Sequence, residues 1–165
     1  MPPSFLKSFG FSGKKDAETL SGSIIIDRPA DVLYALWRKP ESLPVLMNHF
    51  ARITILNQTD SLWRVNTPLG ALLEWRARID VERPGEAMHW HSLPGALVPN
   101  DGQLSFKPAP NGQGTEVTLL IRFTPPGGLV GRKLGQLFAV FSGDMLQQTL
   151  QRFKRMADEL GQVPD

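Results

Sequence analysis

The sequence predicts an α+β fold in which a curved antiparallel sheet wraps around one long C-terminal helix, in the order β-α-α-β6-α. Two observations predict this class. Apolar residues recur at helical spacing through the last quarter of the chain, from Pro125 to Leu160. Between residues 51 and 124 the apolar period changes to two, which is typical of strands with one buried face. The 165 residues suit one domain, which we place at 21–162.

The predicted terminal helix follows Pro125-Pro126-Gly127-Gly128 and has roughly eight turns. Glycine weakens a helical hydrogen-bond ladder, so we expect a bend at Ser142-Gly143. The apolar side of this helix is broad and carries Phe138, Phe141 and Phe153. It therefore needs a large concave partner, which the sheet would supply.

Residues 1–20 are predicted to form a flexible N-terminal arm, because Pro, Gly and Ser interrupt every pattern there. Phe5, Phe9 and Phe11 alternate with lysines, so the arm could make weak contact with a membrane surface. The alternative is a tail that packs loosely on the domain.

Composition excludes several classes of function. The net charge is only +2, which gives no reason to expect nucleic acid as a partner. The absence of cysteine excludes disulfides, zinc–thiolate sites and thiol catalysis. No apolar run is long enough to span a membrane, and the N-terminus lacks a secretory-signal pattern. We therefore expect a cytoplasmic protein, either a monomer or a homodimer.

The first elements are short. Ser21–Asp27 is predicted as a strand, and Pro29 suits the first turn of a helix with Asp27 as its cap. One helical face is formed by Val32, Leu33, Leu36 and Trp37, and Glu41–Phe50 is a second helical piece.

The later strands form a predicted meander. One strand follows the turn at residues 83–86, and the others are placed at Ala51–Gln58, Ser61–Thr67, Ala71–Arg83, Asp101–Pro108 and Thr115–Thr124. In the longest of them, odd-numbered positions from Ala71 to Val81 are apolar and are expected to face the helix. Even-numbered positions are charged from Glu74 to Glu82 and are expected to face water.

The turn Arg83-Pro84-Gly85-Glu86 fixes an expected register between two strands. On the apolar face it predicts the pairs Val81–Met88, Ile79–Trp90 and Ala77–Ser92. On the polar face it predicts the pairs Asp80–His89 and Arg78–His91.

The outer face of this hairpin carries mixed charges. They are expected to form a solvated cross-strand network, and the members are Glu74, Arg76, Arg78, Asp80 and Glu82. His89 and His91 lie two residues apart on one strand, a spacing that metal sites can use. We interpret them as a solvated pair and predict no metal.

Four stretches carry a resemblance to a known family: IIIDRPADVLYALWRKPESLPVLM, GALLEWRARIDVERPGEAMHWHSLPGA, GQGTEVTLLIRFTPPGGLVG and LQRFKRMAD. Through them the sequence from Ile24 to Leu160 resembles the helix-grip fold of the START-like SRPBCC superfamily, in its polyketide cyclase/dehydrase family and close to the coenzyme Q-binding branch. The resemblance covers about four-fifths of the chain, and the WHSLPG and TPPGG pieces are the most specific.

The resemblance implies a cavity for a small hydrophobic molecule, such as a lipid, quinone or polyketide-like compound, between the sheet and the terminal helix. Leu43 is one candidate for its wall. The others are Met47, Phe50, Trp63, Leu73, Trp75, Met88, Trp90, Phe106, Leu119, Ile121, Phe123, Phe138 and Phe141. The alternative for each residue is plain core packing, since interiors are close-packed.

No catalytic residue and no cofactor are predicted, because no acid–base pair falls on the expected inner face. An enzyme of the cyclase/dehydrase type is the alternative that the family name suggests. A third hypothesis is an interaction protein that uses either the edge of the sheet or the apolar loop at 93–100, whose middle is Ala96-Leu97-Val98.

Overall fold

Seven strands in the described part of the chain form one antiparallel sheet. The computed structural model describes residues 18–67, 70, 72–124 and 142–160. The strands are β1 (Glu18–Ile26), β2 (Arg52–Ile55), β3 (Asp60–Asn66), β4 (Leu72–Arg83), β5 (Ala87–Ser92), β6 (Asn100–Pro108) and β7 (Thr115–Phe123). The helices are α1 (Ala30–Arg38), α2 (Ser42–Met47) and α3 (Gly143–Leu160).

The predicted helix-grip architecture is confirmed. Strands β2 to β7 form a continuous meander, and β1 adds to its far edge by pairing with β7. Helix α3 packs against β1 at Gly22, where a Cβ atom would lie 3.3 Å from the Gln147 Oε1 atom and 3.4 Å from Leu150 Cδ1. The missing side chain therefore lets the helix approach the sheet closely.

Helix α3 begins at Gly143, next to the predicted bend. The Ser142 hydroxyl accepts a hydrogen bond from the Met145 backbone N–H at 3.2 Å, so Ser142 caps the helix. Its buried side comprises Met145, Leu146, Thr149, Leu150, Phe153 and Ala157. Residues 125–141 of the predicted helix lie outside the described residues.

The element boundaries differ from the predictions mainly near the N-terminus. Strand β1 begins at Glu18, so residues 18–20, assigned to the arm, pair with β7; residues 1–17 lie outside the described part. Asp27 is not the cap of α1, because Pro29 occupies that position without a side-chain cap bond. Strand β2 is only four residues long, because the chain turns away after Ile55.

The predicted alternation of β4 is confirmed from Leu73 to Arg78. Leu73, Trp75 and Ala77 are buried, whereas Glu74, Arg76 and Arg78 are exposed. The odd-numbered side chains therefore join the core that the sheet shares with the helices.

Register with β5 is predicted correctly only for the first part of the hairpin. The pairs Ala77–Ser92, Arg78–His91 and Ile79–Trp90 are confirmed. Beyond them the predicted pairs Val81–Met88 and Asp80–His89 are wrong, because β4 carries a bulge between Ile79 and Val81. Val81 pairs with His89 and Glu82 with Met88.

The bulge also moves Glu82 to the inner face, which corrects its predicted outward position. One extra residue in a strand reverses the alternation beyond it. The Glu82 carboxylate accepts a hydrogen bond from the Tyr34 hydroxyl at 3.2 Å and pairs with the Arg38 guanidinium at 2.6 Å. Both partners belong to α1.

Candidate ligand-binding cavity

A cavity of about 320 Å³ lies between α1, the start of α2, the β2–β3 turn and strands β4 and β5. Its wall is apolar toward the sheet and polar toward the turn. The apolar residues are Trp37, Pro40, Leu43, Ile55, Ala77, Ile79, Met88 and Trp90. The polar residues are Arg38, Lys39, Asn57, Gln58, Thr59, Asp60 and Ser61.

Two tryptophans shape the apolar end of this cavity. Trp90 lies across Gly102 of the neighbouring strand, where a Cβ atom would be 2.3 Å from the indole ring. Only glycine leaves room for the ring at this position. Trp37 contacts Phe153 edge to face with centroids 5.2 Å apart, so this wall is held between the sheet and α3.

Asp60 is the acidic group of the polar end. Its carboxylate accepts hydrogen bonds from Arg78 Nε at 2.8 Å and Nη2 at 2.9 Å, and from the Thr59 hydroxyl at 2.9 Å. The Arg78 hydrogen bonds are the main reason that the pKa of Asp60 lies far below its usual value. Asp60 is therefore a fixed anion whose charge Arg78 balances.

Arg38 connects α1 to strand β4 and to the β2–β3 turn. Its Nε atom pairs with Glu82 at 2.6 Å, and Nη2 donates to the Gln58 carbonyl in the β2–β3 turn at 3.0 Å. Burial, followed by the charge of Glu82, raises the pKa of the adjacent Tyr34 to about 12. The cavity mouth is thus held by a polar cluster that α1, β4 and the turn share.

The structure brings only some of the predicted site residues to this cavity. Met88 and Trp90 line it, and so does Leu43. Phe50 is half-buried and lines a different cleft. The others that the structure describes pack in the core without lining it: Met47, Trp63, Leu73, Trp75, Phe106, Leu119, Ile121 and Phe123. Phe138 and Phe141 lie outside the described residues.

Trp63 and Trp75 show why a buried tryptophan need not line a cavity. Their rings stack with centroids 5.6 Å apart and an interplanar angle of 17°. The Trp63 indole N–H also donates to the Ser61 hydroxyl at 2.9 Å. The two rings therefore pack against each other on the inner face of the paired strands β3 and β4.

Sequence reasoning missed Trp37, Ile79 and the turn residues from Asn57 to Asp60 as cavity wall. The helical apolar face that contains Trp37 was a usable signal. The turn residues gave none, because their approach to α1 depends on the curvature of the sheet.

The cleft that Phe50 lines is wider, about 1100 Å³, and lies between α2, β2 and the start of α3. His49 lies at its edge with Nε2 3.3 Å from the Met145 carbonyl oxygen. Burial lowers the pKa of His49 below its ordinary value. The neutral ring therefore serves as a hydrogen-bonding link between α2 and α3.

The outer sheet face carries a network of histidines and carboxylates. His89 Nδ1 lies 2.6 Å from Asp80, which also contacts His91 Nδ1 at 2.9 Å. His89 Nε2 lies 3.3 Å from Asp101, which Arg122 holds with two hydrogen bonds of 3.0 and 2.9 Å. The prediction of a solvated pair is wrong for His89, which is 5% exposed.

Burial of His89 opposes its charged form, but the hydrogen bonds and charges of Asp101 and Asp80 outweigh burial and raise its pKa. Within the described ranges no group of three or more His, Cys, Asp or Glu side chains is arranged so that it could hold a metal ion.

The sheet, the gripped helix and the apolar inner cavity define the class as a helix-grip protein. A family model for polyketide cyclase/dehydrase and lipid transport matches residues 26–153, and the chain belongs to this family. Family membership implies a pocket for a hydrophobic ligand. Comparison with curated proteins gives no match.

Solved structures share the fold. A Deinococcus radiodurans protein is 34% identical, with 87% of this chain and 98% of that chain covered and a TM-score of 0.68. A Thermus thermophilus protein is 17% identical over 84% and 95% of the two chains, with a TM-score of 0.67. A START superfamily protein from Mycobacterium smegmatis is 12% identical over 86% and 98%, with a TM-score of 0.63.

Among the helices that the structure describes, none is both long and apolar enough to cross a bilayer.

Proposed function

We propose that the protein binds a small hydrophobic molecule in the cavity between α1 and strands β4 and β5. The observation that carries this proposal is the apolar wall that Trp37, Met88 and Trp90 build around about 320 Å³ of space. Ligand sites are typically concave, mainly apolar and aromatic, and supplied with a few polar groups. Close-packed cores seldom leave a space of this size.

The cavity volume limits the ligand. At about 320 Å³ it lies near the lower end of the usual range for small-molecule pockets. A compact ring system fits this volume better than a whole lipid or an isoprenoid chain. We therefore prefer a compact ring as the ligand, of which a quinone headgroup and a polyketide-like aromatic are examples, and membership of the coenzyme Q-binding branch stays a prediction.

A filled-cavity variant tests this proposal. Ile79→Phe adds an aromatic ring to a half-buried lining residue. We expect it to weaken binding of a naphthalene probe at least about ten-fold, as measured by quenching of tryptophan fluorescence. Ile24→Phe enlarges a half-buried residue of β1 that does not line the cavity, and it should bind the probe like wild type. Equal weakening by both variants would contradict the proposal, as would no binding to wild type.

The cyclase/dehydrase alternative needs a group that can exchange a proton with a bound chain. Asp60 is the sole carboxylate among the described lining residues, and Arg78 keeps it ionised. This geometry supports binding better than acid–base catalysis.

A further inference from the structure

Among the described charged residues that line the cavity, all but one have an ion-pair partner. Asp60 is balanced by Arg78, and the lining residue Arg38 is balanced by Glu82. Lys39 follows Arg38 at the end of α1, lines the cavity and is exposed at its mouth. In the described part of the chain it forms no ion pair, so the lining keeps one unmatched positive charge.

Arg38 adds hydrogen-bond donors beside this charge. Its Nε and Nη2 atoms are engaged by Glu82 and the Gln58 carbonyl. Its Nη1 atom has no hydrogen-bond partner among residues that the structure describes. The Glu82 and Gln58 contacts hold the guanidinium in place, so these donors are positioned before a ligand arrives.

The apolar part of the lining suits a flat ring. Trp37 and Trp90 both belong to it, together with the Met88 thioether, whose sulfur packs well against aromatic rings. The cavity therefore combines an aromatic wall with the two cationic side chains of Arg38 and Lys39.

We propose that the ligand is an aromatic carboxylate, or a similar compact ring with one acidic group, whose acid lies at Lys39 and Arg38. The inference rests on the proposed function and narrows it. A neutral quinone or sterol would leave the Lys39 charge unmatched. A carboxylate would match that charge and accept hydrogen bonds from both cations.

The test compares naphthoate with naphthamide, which has the same ring and nearly the same shape but no charge. Binding is followed by tryptophan fluorescence and by calorimetry. We expect wild type to bind naphthoate roughly ten-fold more tightly than naphthamide, which is the scale of one charge-assisted hydrogen bond. High ionic strength should reduce this preference, because salt screens an exposed pair.

Lysine variants assign the preference to this site. Lys39→Gln should lose most of the preference for naphthoate while still binding naphthamide. Lys39→Arg should keep the preference, because it keeps the positive charge. Lys107→Gln removes another exposed lysine, which lies on β6 and does not line the cavity, and it should behave like wild type.

Equal binding of the two probes to wild type would overturn the carboxylate inference and leave the proposed function standing. An undiminished preference in Lys39→Gln would overturn it too. If neither probe bound, both proposals would fail.

Discussion

At the scale of single residues, the contact between Trp90 and Gly102 decides whether the cavity wall can form. A Cβ atom added at residue 102 would lie only 2.3 Å from atoms of the Trp90 indole ring, so a methyl group there would clash with the ring. We expect Gly102→Ala to lower the free energy of unfolding by about 1–3 kcal/mol in urea, because the ring must move within a packed core. Gly143→Ala is the control, since a Cβ atom there meets nothing within 4 Å. Equal stability of wild type and Gly102→Ala would contradict this account.

His89 is expected to make stability depend on pH. The pKa of His89 is raised in the folded state. Its contribution to the free energy of unfolding is therefore fully present below about pH 6.5 and is lost as pH rises through the raised pKa. The free energy of unfolding should therefore fall with increasing pH above 6.5, by at most about 1.4 kcal/mol per pH unit for one group. Urea titrations at a series of pH values above 6.5 measure this slope.

Two histidine variants test whether His89 is the cause of this pH dependence. His89→Gln should flatten the slope above pH 6.5. His49→Gln should leave that slope unchanged, because the pKa of His49 is lowered and its linkage acts below pH 6.5. An identical slope in His89→Gln and wild type would show that His89 is not the responsible group.

At the scale of elements, the bulge in β4 connects the sheet to α1 through Glu82. Tyr34 is the single tyrosine of the chain, so its titration can be followed by tyrosinate absorbance. We expect Glu82→Gln to lower the Tyr34 pKa from about 12 toward 10, because it removes a neighbouring negative charge and leaves burial in place. Glu74→Gln, at the exposed pair with Arg64, should not change it. An unchanged midpoint in Glu82→Gln, with circular dichroism showing a retained fold, would contradict this contact.

The same strand shows how far sequence reasoning reaches. Alternation correctly placed Leu73, Trp75 and Ala77 inside, because a period of two is set by backbone geometry alone. The bulge at Asp80 had no signal in the sequence, since residues on both sides of it continue the alternation. The reversed direction of Glu82, and with it the polar cluster on α1, could not be predicted.

At the scale of the whole molecule, the element order and helix-grip arrangement followed from the sequence, whereas the cavity position did not. Trp75 and Trp90 share one face of the sheet, yet only Trp90 lines the cavity. The difference arises because Trp63 fills the space beside Trp75, whereas Gly102 leaves room beside Trp90. Which buried residues line a void depends on neighbours on other strands, and a periodic pattern does not contain that information.

The central claim is that the ligand site lies between α1 and strands β4 and β5. The most direct test is a nuclear Overhauser experiment on the complex with naphthoate, with labelled methionine methyl groups. We expect contacts from the ligand ring to the Met88 methyl group and to the Trp90 indole, both of which line the cavity. Contacts to the Met145 methyl group and Phe50 instead would place the ligand in the wide cleft beside α2 and contradict the account.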